Sequence, residues 1–183
     1  MHKGLGMDAY LKRMARYNQW MNQKLLAKTQ LLSDVQITEE RGAFFGSILG
    51  TFNHLYAGDV VWLRRVATHP LCQQALTPIH DLPSPKDMTS LVFNDLRSLA
   101  KARESLDQLI LDFAATWTDK LLNAPLQYRN MAGEAKEQPI NMVLHQLTNH
   151  QTHHRGQITT LLFQAGIDPG VTDLLVMLME EKN

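Results

Sequence analysis

The side chains best suited to chemistry in this sequence are its histidines. Of eight in 183 residues, His54 falls inside an apolar stretch, and His145, His150, His153 and His154 crowd one later segment. His150 and His154 are four apart, so on a helix their imidazoles leave the same face about one turn apart and can hold one ion between them. His153 lies about 100° round the helix from His154 and cannot comfortably serve the same ion as a third ligand. Chance alone supplies about a third of such a pair in a chain of this composition, so the spacing needs support. The apolar neighbours Leu147, Ile158 and Leu161 provide it, because imidazoles buried without a partner or an ion would be costly.

His54 supplies a third ligand if its helix faces that pair, as bundle metal sites draw on side chains projecting inward from facing helices. Taken alone, His54 reads as a core histidine bonded to a carbonyl. Beside the pair it reads as a ligand. Three neutral nitrogens with an open fourth position form a catalytic zinc arrangement, and imidazole also suits nickel, iron or copper. Gln151 stands where the H-E-x-x-H motif has its general-base glutamate, which disfavours protease chemistry. Asp59, five residues beyond His54, points away from it on an ideal helix. Asn53, Asn149, Arg155 and Gln157 are candidates to support ligands or substrate, and equally ordinary capping or surface residues. His69, Cys72 and His80 lie in a proline-rich stretch without ligand spacing and read as loop residues. Tyr17, Trp20, Met14 and Met21 read as core.

The elements that must position these residues follow from hydrophobic periodicity. Tyr10, Leu11, Met14, Tyr17, Trp20, Met21 and Leu25 predict a first helix from Met7 to about Gln30. Ser33 to Arg41 is a polar break. Phe44, Phe45, Ile48, Leu49, Phe52, Leu55, Tyr56, Val60, Trp62 and Leu63 predict a long second helix despite Gly46, Gly50 and Gly58. Those glycines each cost a helix about 1 kcal/mol against alanine, which suggests a close approach or a nearby ligand. Four prolines between His69 and Asp87 make a long connection across one end of a bundle. Ser84, Pro85 and Asp87 predict the start of a third helix running to about Trp117. Residues 119–138 predict a short hairpin or an irregular loop. Pro139 opens a fourth helix that Gly166 terminates, and Thr172 to Glu180 form a short C-terminal helix.

Lysine plus arginine number 18, equal to aspartate plus glutamate, so no net field draws the chain to nucleic acid or an anionic lipid surface. Lys12, Arg13, Arg16, Arg64 and Arg65 read as solvated helix faces. Apolar runs end well short of the ~20 residues that span a bilayer. The N-terminal residues carry no secretory pattern, and one cysteine excludes an internal disulfide, so a cytoplasmic protein of one domain, residues 1–183, is expected.

Several segments together resemble the DinB family: Tyr17-Asn-Gln-Trp-Met-Asn, Arg41-Gly-Ala-Phe-Phe-Gly-Ser-Ile, Thr51-Phe-Asn-His-Leu, and Asn149-His-Gln-Thr-His-His-Arg-Gly-Gln. The likeness extends to Gly166-Ile-Asp-Pro-Gly-Val-Thr-Asp. It implies an all-α, up-down-down-up four-helix bundle, commonly a homodimer, with a divalent metal ion, zinc or nickel foremost, held by His54, His150 and His154. It also implies a thiol S-transferase-like or hydrolase-like enzyme acting on a small molecule, with a low-molecular-weight thiol as a possible cofactor. A non-catalytic, stress-response metal-binding bundle is the competing expectation.

Overall fold

Oxygen-bearing side chains set where most helices begin. Ser33 opens α2 (Asp34–Thr38) with a capping box, its hydroxyl accepting from Gln36 N–H while the Gln36 side chain reaches back to the Ser33 N–H. Ser47 accepts from Gly50 N–H at 3.0 Å to start α3 (Ile48–Val66), and Asp95 accepts from Ser98 N–H at 2.8 Å to start α4 (Leu96–Ala115). Thr118 does the same for α5 (Asp119–Leu122). The first helix, α1 (Met7–Thr29), and the longest, α6 (Ile140–Gln164), complete a set of four long helices, and α7 (Leu174–Glu180) follows. This computed structural model describes residues 6–87 and 90–181.

Three boundaries differ from the periodic pattern. Phe44 and Phe45 precede α3 instead of beginning it, because Gly46 takes φ of +73° and its N–H and C=O close a turn onto Ala43 and Arg41. The third long helix begins at Leu96 and not at Ser84–Pro85. Asn53 of α3 accepts the Val92 and Phe93 N–H groups at 2.8 Å each, so the chain before Asp95 is tied down in a non-helical conformation. The polar break after α1 contains α2, with Ile37 buried beneath it.

Contacts along the long helices fix their directions. Lys12 meets the Trp117 carbonyl and Asn22 meets Asp107, so α1 and α4 are antiparallel. Tyr10 packs on His145 and Asn18 on Arg155, so α1 and α6 are parallel. Phe45 lies by His154 and Asp59 by Gln151, so α3 and α6 are antiparallel. Asn53 meets Phe93 and Asp59 meets Arg103, so α3 and α4 are parallel. The directions read up, down, down, up. Parallel α3 and α4 oblige the chain to return the length of a helix, about 28 Å for 19 residues, and residues 67–95 with the 3₁₀ turn Thr77–His80 make that crossing. Before α6, strands β1 (Pro125–Arg129) and β2 (Ala135–Pro139) form the antiparallel hairpin, anchored by buried Leu126. Among the described residues no helix is long and apolar enough to cross a membrane.

The interior holds two apolar clusters. One gathers Leu11, Tyr56, Val60, Leu63, Leu106, Phe113, Val143 and Leu147, with Cys72 and Leu76 of the crossing. The other gathers Met21, Leu25, Ile48, Phe52, Leu55, Leu99, Ile158 and Leu162. Each side chain withdrawn from water contributes about 1.5–3 kcal/mol, which holds the helices together. Between the clusters runs a buried polar layer of Asn18, Asn22, Asp59, Arg103, Asp107, Gln151 and Arg155.

Candidate metal centre

The second long helix, α3, projects His54 toward α6, and α6 answers with His150 and His154 one turn apart on one face. One ring nitrogen from each of the three lies within 4.8 Å of the others, close enough to hold a single ion. The Nε2 atoms of His54 and His150 stand 3.0 Å apart. Nitrogens ~2.05 Å from a tetrahedral ion are about 3.3 Å apart, so small rotations of the rings bring all three to ligand distance. Ring centroids are 4.5 Å apart for His150 and His154, 4.6 Å for His54 and His154, and 4.9 Å for His54 and His150. Among the described residues this is the group of histidine, cysteine or carboxylate side chains with metal-binding geometry.

Neighbouring groups orient the rings. Phe45 stacks on His54 at 3.8 Å with its plane 18° away, and meets His154 edge-on at 5.3 Å. Gln157 lies one turn beyond His154, its Oε1 2.7 Å from Nδ1, which leaves Nε2 of His154 as the nitrogen directed to an ion. Gly58 of α3 lies under His150, and a Cβ there would come within 2.7 Å of its Cε1. The helical glycine is therefore a close-approach position. Gly50 is another, facing the Phe45 carbonyl.

The electrostatics favour neutral imidazoles, the form that ligates metal. Burial, followed by the neighbouring His154, His54 and His153, pushes His150 down to about 4. Burial also lowers His154, opposed by its bond to Gln157. Among the described residues no carboxylate joins the three ligands: Asp59 is buried, 1% exposed, in the polar layer, engaged by Arg103 and Gln151.

The remaining sequence candidates are accounted for individually. Asn53 pins the segment before α4, and Arg155 lies in the polar layer with its guanidinium over Tyr17. His145 packs against Tyr10, and His153 is exposed with its ring 4.7 Å from His154. His69 accepts from the Leu71 N–H, Cys72 is fully buried, and His80 is exposed, so these three form no ligand cluster. Met21 is core as expected, whereas Trp20 is half-buried and bonds Glu180 of α7. Spacing arguments passed over Phe45, whereas the close approach suggested by the helical glycines is found at Gly50 and Gly58.

The architecture and its centre define a class: a helical protein whose two antiparallel helices present three imidazoles to a shared point. The family model described as DinB family matches residues 7–183, and the chain belongs to that family. Protein DinB of Bacillus subtilis (strain 168) is 27% identical over 172 residues, spanning 91% of this chain and 92% of that protein. The crystal structure of a DinB-like protein from Bacillus cereus ATCC 10987 superposes with a TM-score of 0.50 at 25% identity. It covers 85% of this chain and 91% of that one.

Proposed function

We propose that this protein is a metal-dependent enzyme in which His54, His150 and His154 hold one divalent ion, zinc or nickel, that prepares a thiol or water for attack on a small electrophile. The observation that carries the reading is the meeting of three imidazole nitrogens within 4.8 Å, two of the rings held neutral by burial. Three imidazole ligands, with no carboxylate among the described residues beside them, leave the ion its full charge and positions for a further ligand. A bound divalent ion lowers the pKa of a coordinated thiol or water toward neutrality. The protein's part is to orient the rings through Gln157 and Phe45 and to shield them from bulk water. A cavity of about 300 Å³ whose lining includes Phe44, Phe45, Gly50, Asn53 and Leu91 reaches one of the three ligands, His54, and suits a small molecule. The thiol arm of the reading draws on the family resemblance, as does the homodimer, which light scattering would test.

A second reading is favoured by the origin of the ligands in both α3 and α6: an ion there would join the two helices and serve stability alone. Elemental analysis of untagged protein, comparing wild type with His150→Ala and His154→Ala, tests the shared premise. About one ion per chain in the wild type and none in either variant is expected, followed by turnover in thiol-transfer or hydrolysis screens that vanishes with the ion. A wild type that stays empty with added zinc or nickel overturns both readings. A loaded protein without turnover, whose melting temperature falls on chelation, favours the second.

A further inference from the structure

The polar layer between the two apolar clusters is a circuit of side-chain contacts that starts and ends on α1 and passes through all four long helices. Asn18 of α1 accepts from the Arg155 guanidinium of α6 at 2.7 Å, and Arg155 also donates to Gln151 Oε1 at 3.2 Å. Gln151 Nε2 donates to Asp59 Oδ2 of α3 at 2.5 Å. Asp59 pairs with Arg103 of α4, Arg103 pairs with Asp107 at 2.7 Å, and Asp107 accepts from Asn22 of α1 at 3.1 Å, closing the circuit on the helix where it began. Each member is at most 4% exposed. Two carboxylates face two guanidiniums, so the layer carries no net charge.

An apolar helix face tolerates sliding and rotation, because neighbouring methyl groups exchange at little cost. A buried circuit of hydrogen bonds and ion pairs does not, since displacing one helix strands a charge or a polar group away from water. This circuit is interleaved with the candidate ligands. Gln151 follows His150, Arg155 follows His154, and Asp59 follows Gly58, against which the His150 ring lies. On α6 the polar pair 151 and 155 repeats the 150 and 154 spacing about 100° further round, so fixing one pair fixes the direction of the other.

We infer that Gln151 and Asp59 are positioning residues for the three-histidine centre, their direct bond setting the rotation of α6 against α3 that brings His150 and His154 to His54. The inference rests on the metal reading above. Apolar packing supplies the attraction between the helices, and the circuit selects the one register in which the imidazoles converge. Arg103 supports Asp59 from α4, and Asn18 supports Arg155 from α1, so all four helices bear on the ligand geometry.

Cobalt(II) titration of the full chain, read by its visible ligand-field bands and by dissociation constant, tests this with Gln151→Met, which keeps side-chain length and removes both hydrogen bonds. The expected result is a cooperatively folded protein whose cobalt affinity falls about tenfold, with a band shape changed from wild type. Phe113→Leu, in the apolar cluster of α4, is the stability control and should lower the melting temperature while leaving affinity and band shape unchanged. If Gln151→Met does not fold, Asn18→Ala loosens Arg155 alone and should move affinity and spectrum in the same sense to a smaller degree. Wild-type affinity and bands in the circuit variant, or an equal loss in Phe113→Leu, would overturn the positioning role. A wild type that takes no cobalt would instead sink the metal reading itself, and this inference with it.

Discussion

Gly58 of α3 and the imidazole of His150 on α6 are in such close contact that a Cβ at residue 58 would stand 2.7 Å from His150 Cε1. Glycine inside a helix is unfavourable by about 1 kcal/mol relative to alanine, so helix propensity alone would make Gly58→Ala stabilising. The steric clash has the opposite sign and falls on a candidate ligand. Gly58→Ala is expected to lower zinc affinity at least tenfold and to gain no stability. Isothermal titration beside thermal melting checks both, and unchanged affinity would show that His150 relaxes without leaving the site.

Phe45 covers one face of His54 and the edge of His154. Removing the ring admits water to the ligands and lets His54 turn. Phe45→Ala should release its metal to a chelator severalfold faster than wild type while the fold persists, because Phe45 lies in the turn before α3 and outside both apolar clusters. Stopped-flow transfer of zinc to a coloured chelator measures this.

Cys72 lies where a thiol reacts slowly. Its thiol is fully buried in the apolar cluster and pushed up by that burial to about 11. Native protein should react with an aromatic disulfide reagent orders of magnitude more slowly than the denatured chain, which should show one thiol. The same shift predicts a pH effect on stability. The unfolded thiol ionises near 9 and the folded one near 11, so its contribution is complete below about 9 and is lost as pH rises through 11. Cys72→Ala should flatten the alkaline limb of the stability curve and leave metal content intact.

Arg103 is 2% exposed between Asp59 and Asp107. Burial pushes both carboxyls up and the guanidinium opposes it, so removing that cation leaves two buried acids uncompensated. Arg103→Met is expected to destabilise the protein by about 3–5 kcal/mol in denaturant unfolding, far beyond the ~0–1 kcal/mol of an exposed pair such as Lys136 with Glu134. A loss below about 1 kcal/mol would contradict the circuit's energetic weight.

Much of the centre and its helices was legible in the linear pattern. The i,i+4 spacing of His150 and His154 places two imidazoles on one face of any helix that contains them, whatever packs against it. The 3.6-residue recurrence of apolar side chains set α1 and α6 within a residue or two, and the loss of helical period over residues 119–138 left open a hairpin or an irregular loop, where the structure has the hairpin. Those properties are local, decided by backbone geometry within a few residues. What only the tertiary structure decided is which side chains meet across the bundle. Asn53 holds residues 92 and 93 out of helix and moves the start of α4 to Leu96, against the local signal at Ser84–Pro85. Asp59, Arg103, Asp107 and Arg155 are individually surface-type residues, and burial becomes affordable only because each finds a partner on another helix 40 or more positions away, or one turn along its own. Such pairings carry no local period, so the circuit that aligns the histidines emerges only when four helices have been brought together.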